Sequence, residues 1–421
     1  MNAIKRKTMH IMFVVAMAFC LLLAGKVQTN AATAAPTGVT QTGAYSNGVL
    51  VNWNAVMQDD INYYYRISNE PTFTSYKSGR VTAGFTWVII GDLAGGTTYY
   101  VQMGTSTSFE SKPPADTVWS DTLEVATHPE GVDRDSIKLI NTDTTSMTLA
   151  WDVPTGANYY EVKYWLCDEN EDSASTVSTA TNSVQITGLK KNSRYNIKIY
   201  SYRMTSSGYK AGNYYTNKNN LNVLPTKVTG VENTKFYTSI NVAYFEWNQS
   251  TSGDGYQYYI YDNSNKKILS GSTSSSSLRV ESNKLKKNQF YRIKVRGYVT
   301  LANNQVKYGA WSDVVYFVKS PDQKVSVKQS GKNIKVSWNK VTGATNYTVY
   351  VSNKPNSGYK KVGTVKKTST TIKKYGKSSL KKGKTYYVRI VANKTVKVNG
   401  KNKTYKSNLM NDYANHITLK K

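Results

Sequence analysis

A chain of 421 residues is too long for a single hydrophobic core and long enough for several domains of ordinary size. Two cysteines exclude a disulfide-built scaffold, and three histidines leave little material for proton transfer. A formal net charge of +29 points toward anionic partners.

Taken from the N-terminus, Lys5, Arg6 and Lys7 form a positive patch and Ile11 to Gly25 run almost wholly apolar. Small residues follow at Ala31, Ala32, Ala34 and Ala35. That order predicts a secretory signal peptide over residues 1–34, cut near Ala31 or Ala34. The alternative is an uncleaved anchor, for which the apolar run is short. No later stretch is long and apolar enough to cross a membrane, so the mature chain is expected to be secreted, without a transmembrane span. Cys20 lies inside the apolar run, and cleavage leaves Cys167 alone, with no internal disulfide. No sortase motif or apolar tail ends the sequence, so any wall association is expected to be non-covalent.

Further along, Pro129, Pro225 and Pro321 stand 96 residues apart, and Pro36 stands 93 before the first of them. Each block carries a Trp at the end of an alternating stretch. Val49-Leu50-Val51-Asn52-Trp53 and Ile334-Lys335-Val336-Ser337-Trp338 are two cases, with Trp151 and Trp247 at the matching places. Each block also has a Leu six residues before a Tyr: Leu93 and Tyr99, Leu189 and Tyr195, Leu285 and Tyr291, Leu380 and Tyr386. An aromatic follows 19 or 20 residues later, at Trp119, Tyr215, Trp311 and Tyr405. These marks divide the mature chain into four repeats, 35–128, 129–224, 225–320 and 321–421.

Inside a repeat the apolar period is two. Tyr291, Ile293 and Val295 share one face, and Arg292, Lys294 and Arg296 the other, which is a strand with one buried side. No stretch shows a long helix. Short strands punctuated by Gly, Asn and Ser predict an all-β protein, with two antiparallel sheets packed face to face in each repeat. Each repeat is expected to close a separate core around its own pair: Trp53 and Tyr99, Trp151 and Tyr195, Trp247 and Tyr291, Trp338 and Tyr386.

A Trp late in the second strand, and a Leu six residues before the Tyr that opens the sixth, resemble the fibronectin type III domain. The chain looks like a tandem array of four such immunoglobulin-like β-sandwiches after a signal peptide. The Gly-Ala-x-x-Tyr runs ending at Tyr160 and Tyr347, and the Trp-Ser-Asp runs at Trp119 and Trp311, are similar to strand entries of bacterial secreted members. The second and fourth repeats depart from this at Tyr215-Thr216-Asn217 and Tyr405-Lys406-Ser407. The resemblance implies a corner tyrosine whose hydroxyl bonds to nearby backbone, and a spacer or binding module. It implies no ligand.

Charge is distributed unevenly. Repeat by repeat the net value runs −4, 0, +7 and +22, and the last repeat sets 24 basic residues against Asp322 and Asp412 alone. Lys360, Lys361, Lys366, Lys367, Lys373, Lys374, Lys381, Lys382, Lys384, Lys401, Lys403 and Lys406 fall in expected loops and strand ends. Such a density of one sign repels itself until a polyanion meets it. The expected partner class is an anionic cell-wall polymer, an anionic polysaccharide or an acidic membrane surface, with other surface proteins as a further candidate. Nucleic acid is not expected: no nucleic-acid module is visible, and lysine makes point-charge rather than forked contacts. Plain solubility is the alternative reading of these lysines.

The 34 tyrosines support a second reading, a glycan-binding accessory module. Tyr63, Tyr64, Tyr65, Tyr159, Tyr160, Tyr256, Tyr258, Tyr259 and Tyr261 crowd the third strands, and those left exposed could stack on sugar rings. Asp168-Glu169-Asn170-Glu171-Asp172 lacks the fixed ligand spacing of a calcium loop and reads as a solvated hairpin tip. No enzyme, metal centre or cofactor is expected. His128 sits in a linker, His416 sits near the last strand, and no HExxH, phosphate-loop or nucleophile-elbow motif appears.

Overall fold

The computed structural model describes residues 33–212, 214–237, 242–318, 325–398, 400–407 and 415–420. The expected signal peptide lies outside the described residues except for its last two positions, as do Pro321, Asp322 and Asp412.

The alternation seen in the sequence becomes the burial pattern of the strands. In Gly48–Asn54, Val49, Val51 and Trp53 are buried while Leu50, Asn52 and Asn54 are not. In Asn333–Trp338 the same rule buries Ile334, Val336 and Trp338 and exposes Lys335 and Ser337. Apart from two short 3-10 turns, at Arg134–Ser136 and Glu171–Ser173, the regular structure of the described residues is all strand.

One strand order recurs four times. In the first repeat, Thr37–Tyr45, Gly48–Asn54 and Trp87–Ile90 form a three-stranded sheet. Lys77–Arg80, Asn62–Ser68, Thr98–Ser106 and Val118–Trp119 form a larger one, and Leu123–Ala126 adds to the Thr98–Ser106 strand. Counted within a repeat, and leaving out a hairpin of Lys374–Tyr375 and Ser378–Ser379 inserted after the fifth strand of the fourth repeat, the orders are first–second–fifth and fourth–third–sixth–seventh, with the eighth strand on the sixth. Val49, Val51, Trp53 and Ile90 of the smaller sheet meet Ile67, Val101, Met103 and Val125 of the larger in one cluster. That is a β-sandwich.

A buried phenol pins each sandwich where the chain crosses between sheets. The oxygens of Tyr99, Tyr195 and Tyr386 accept the backbone N–H groups of Ala94, Lys190 and Lys381, each at 2.8 Å. That of Tyr291 accepts the Lys286 N–H at 2.5 Å. The crossover is tight enough to need a left-handed residue, supplied by Gly96, Asn192, Asn288 and Gly383, all with positive φ. Removing the acceptor with Tyr386→Phe is expected to leave the Lys381 N–H without its partner. The expected cost is about 1–3 kcal/mol, read as a lower urea midpoint at unchanged slope.

A second phenol clamp was not foreseen. Tyr63, Tyr256 and Tyr347 accept the N–H groups of Val56, Ser250 and Val341, each at 2.8 Å. Their rings pack on Trp53, Trp247 and Trp338 at 5.2, 5.3 and 5.5 Å. Each of these tryptophans is thus braced by the third strand of its own repeat.

By compactness the described residues group into two units. One runs to Gly131 and includes Val153–Tyr160 and Tyr200–Tyr215. Within it, Gly96 and Gly156 lie backbone against backbone. The Glu130 N–H donates to the Thr155 carbonyl at 3.1 Å, and Arg203 Nε donates to Thr98 Oγ1 at 2.8 Å.

The other unit holds Val132–Asp152, Glu161–Ile199 and the residues from Thr216 onward. Within it, Lys307 Nζ reaches Asn141 Oδ1 and Asp143 Oδ1, each at 2.8 Å. The Phe290 N–H donates to the Thr342 carbonyl at 2.9 Å, and the Thr342 N–H to the Asn288 carbonyl at 2.8 Å. The apolar cluster around Trp338 takes in Phe290 and Val318. The pairs Trp53 and Tyr99, Trp247 and Tyr291, and Trp338 and Tyr386 each keep their own cluster, as expected, but the third repeat fills part of the fourth one's interior. Phe290 precedes a corner tyrosine, at a position where the other repeats carry Thr98, Arg194 and Thr385, none of them buried.

Candidate functional site

All twelve candidate lysines of the fourth repeat are exposed. Lys360 and Lys361 open the edge strand Lys360–Val365, opposite Val351 and Tyr350. Lys366 and Lys367 form the bend after it, and Lys373 precedes the hairpin strand Lys374–Tyr375. Lys381, Lys382 and Lys384 flank Gly383 at the corner. Lys401, Lys403 and Lys406 lie opposite Val398, Val396 and Asn393 of the long strand Thr385–Val398.

The sheet order puts Lys360–Val365 and Lys401–Lys406 on opposite edges with two strands between them, which is about 14 Å at ordinary strand spacing. The lysines therefore form two groups rather than one patch. Aromatic rings draw the first together. Lys360 Nζ stands 4.9 Å from the centre of the Tyr375 ring, and that ring lies 6.3 Å from Tyr386, whose phenol holds the Lys381 backbone. In the second group, Lys403 and Lys406 line a crevice of about 600 Å³ with Glu232 and Tyr316, and the Tyr405 hydroxyl donates to the Val314 carbonyl at 3.0 Å. Among the described residues none of the twelve has a carboxylate at ion-pair distance.

Two further basic features escaped sequence reasoning because they depend on pairing. Lys328 and Lys335 face each other across neighbouring strands, both exposed. Like charges placed directly opposite destabilise a sheet. In the third repeat Lys266, Lys267, Lys284 and Lys286 line a pocket of about 390 Å³ with Asp262 and Tyr291.

The third-strand tyrosines are less open than the sugar-stacking reading requires. Tyr64 is wholly buried, its hydroxyl donating to the Ser108 carbonyl at 2.8 Å and accepting the Glu110 N–H at 3.0 Å. The Tyr259 ring has Lys267 at 4.4 Å, and Tyr261 has Arg292 at 5.0 Å. Trp311 stands beside both Lys294 and Arg296, at 4.2 and 4.3 Å. Cations already occupy these rings. The exposed aromatics include Trp87, Phe109, Tyr214 and Tyr215 instead.

The acidic hairpin is tied down rather than simply solvated, since Glu171 Oε1 takes Lys198 Nζ at 2.5 Å. Burial pushes the Cys167 thiol up from its ordinary value, and Sγ donates to Asn196 Oδ1 at 3.3 Å. His128 packs against Tyr214 and His416 against Tyr387. Among the described residues no cluster of His, Cys, Asp and Glu is placed to hold a metal ion, and no helix is long and apolar enough to cross a membrane.

Residues 134–216 match the family model described as the fibronectin type III domain. The second repeat is a fibronectin type III domain. The other three share its strand order and corner tyrosine, so the array is fibronectin type III-like throughout its described length. Fibronectin type III repeats serve as binding and scaffold modules and are in general non-catalytic.

A Kelch domain-containing protein of Saccharolobus solfataricus is 25% identical over 327 residues, 76% of this chain and 41% of the relative. Contactin-4 of Rattus norvegicus is 35% identical over 71 residues, 15% of this chain and 7% of the relative. The chain thus spans less than half the length of each. Among solved structures, the chicken CNTN1 FN1–FN3 domains give a TM-score of 0.28 at 15% identity, covering 68% of this chain and 98% of that one. A two-domain fibronectin type III segment of chicken tenascin gives 0.25 at 14% identity, covering 44% and 98%. These two scores add nothing to the family match.

Proposed function

We propose that this protein is a secreted, non-catalytic binding or scaffold protein whose fourth repeat docks on an anionic polymer of the cell surface. One observation carries the reading. Twelve exposed lysines lie in two groups on a single sandwich, with no carboxylate at ion-pair distance among the described residues. A polymer of repeated negative charge relieves that repulsion, and two lysine-bearing edges suit a chain that lies across the sheet better than a small ligand. Lysine heads are compact and strongly hydrated, which favours dispersed phosphate or carboxylate over a forked site.

The test is retention of the full chain on a poly(glycerol phosphate) matrix and on a neutral glucan matrix across a salt series. Binding is expected on the anionic matrix alone, falling steeply as salt screens it. Lys401→Glu, Lys403→Glu and Lys406→Glu together should weaken it at least ~100-fold, at about 1 kcal/mol per lysine near an anionic surface. The same changes at Lys381, Lys382 and Lys384 test the other group. Retention insensitive to salt and to both variants, or equal retention on the glucan, overturns the proposal.

A further inference from the structure

The first repeat breaks a rule that the other three keep. Among the described residues the fifth strand of each repeat is an edge strand, paired on one side only. Its outward side chains are polar elsewhere: Gln185 in Ser183–Ile186, Arg279 in Ser277–Glu281, and Thr371 in Ser369–Ile372. In Trp87–Ile90 they are Trp87 and Ile89, 43% and 51% exposed. Phe85 packs on the edge of the Trp87 ring at 5.1 Å. Leu50 stands opposite Ile89 on the neighbouring strand, so the apolar face extends inward from the edge.

Charge is also missing here. The three strands of this sheet, Thr37–Tyr45, Gly48–Asn54 and Trp87–Ile90, contain no ionisable side chain except Tyr45. The matching sheets of the other repeats each carry charge, at Lys138, Arg279 and Lys335 among others. Natural edge strands are kept from pairing by charge, proline, bulges or brevity. Here only brevity is left. The Thr86 carbonyl accepts the Trp53 N–H, so by alternation the peptide groups of Trp87 and Ile89 point to the open edge.

We propose that this edge pairs with the same edge of a second copy of the chain, antiparallel about a two-fold axis at Val88. That arrangement sets Trp87 of each copy opposite Ile89 of the other, an aromatic and β-branched cross-strand pair. It joins two three-stranded sheets into one of six. A charge-free edge meets its own copy without like-charge repulsion, in a protein that is otherwise strongly charged. A sugar chain suits the surface less well. The Phe85 and Trp87 rings are inclined at 64°, not coplanar, and Ile89 offers no ring. A sugar also leaves the backbone row unpaired. The strand is four residues long, and its contact falls short of the ~800 Å² per partner of a stable complex. The dimer is therefore weak and concentration-dependent.

Sedimentation velocity of the full chain, from about 1 µM to several hundred µM to cover a weak association, tests this. A reversible dimer that persists in high salt is expected, unlike the salt-sensitive binding to an anionic polymer. Ile89→Lys should weaken it at least ~tenfold by placing a charge against an apolar strand, and Trp87→Ser should act in the same direction. Both side chains point outward and the other repeats carry polar residues there, so the unfolding midpoint should hold. Hydrogen exchange at the Trp87 and Ile89 amides should slow as concentration rises. A monomer throughout, a dimer indifferent to both variants, or a dimer without that amide protection overturns the proposal. So does tryptophan fluorescence that responds to a neutral glucan in the natural chain but not in Trp87→Ser, while the chain stays monomeric.

Discussion

Replacing Phe290 with alanine is expected to destabilise the protein by about 3–5 kcal/mol, the usual cost of removing a buried aromatic side chain. The loss should fall first on the fourth repeat, although the residue belongs to a strand of the third. Phe290 is 1% exposed and belongs to the apolar cluster of Trp338, Tyr347 and Leu380, although it stands on the sixth strand of the third repeat. Its own N–H donates to the Thr342 carbonyl, so the side chain and the backbone tie the same joint. Truncation leaves a cavity in the fourth core and takes away the third repeat's hold on it. In guanidinium titrations the folded chain should then show the fourth repeat melting ahead of the third. Phe290→Leu should recover most of the loss, because it keeps volume in the same place. A cost below about 1 kcal/mol would mean that the fourth core closes without its neighbour, against the usual cost of such a cavity.

Gly156→Ala should be nearly as damaging, for a steric reason. Gly156 has a φ of +80°, and a Cβ there would lie 2.3 Å from the Gly96 Cα and 2.4 Å from its carbonyl oxygen. Backbone cannot swing aside as a flexible side chain does. Strain at positive φ costs about 1 kcal/mol and overpacking a further 1–3 kcal/mol. Gly188 is the internal control. Its φ is +74°, but no atom lies within 4 Å of the added Cβ, so Gly188→Ala should cost only the strain, about 1 kcal/mol. Thermal unfolding of the two variants side by side separates the terms. Equal shifts would show that the contact between Gly96 and Gly156 contributes nothing.

The parts of the fold that could be read from the sequence are those set by short-range periodicity. Alternation assigns Trp53, Trp151, Trp247 and Trp338 to inward positions, and all four are buried. The spacing from Leu to Tyr marks the corner, and the phenol oxygens of Tyr99, Tyr195, Tyr291 and Tyr386 accept backbone N–H groups there. The clamp made by Tyr63, Tyr256 and Tyr347 had a visible signal in the Gly-Ala-x-x-Tyr run of the fourth repeat, but no spacing said where that hydroxyl would go.

The candidate site was legible only as an excess of lysine. Its division between two sheet edges follows from strand order, which residue type does not encode. Which of the third-strand tyrosines stay exposed was not legible: Tyr64 is buried because the segment through Ser108 and Glu110 covers it. Trp87-Val88-Ile89-Ile90 has the composition of a core strand, yet Trp87 and Ile89 face water because alternation turns them to the outer face of their sheet.

The sequence by itself determined the repeat length, the two faces of each strand, the residues at the centre of each sandwich and the run of charge toward the C-terminus. All of these can be counted along the chain without knowing which segments meet. Only the tertiary structure decided which strands became edges, which lysines share an edge, and that Phe290 enters its neighbour's core. Those outcomes depend on segments tens of residues apart meeting in space, and a side chain does not record locally what will lie across from it.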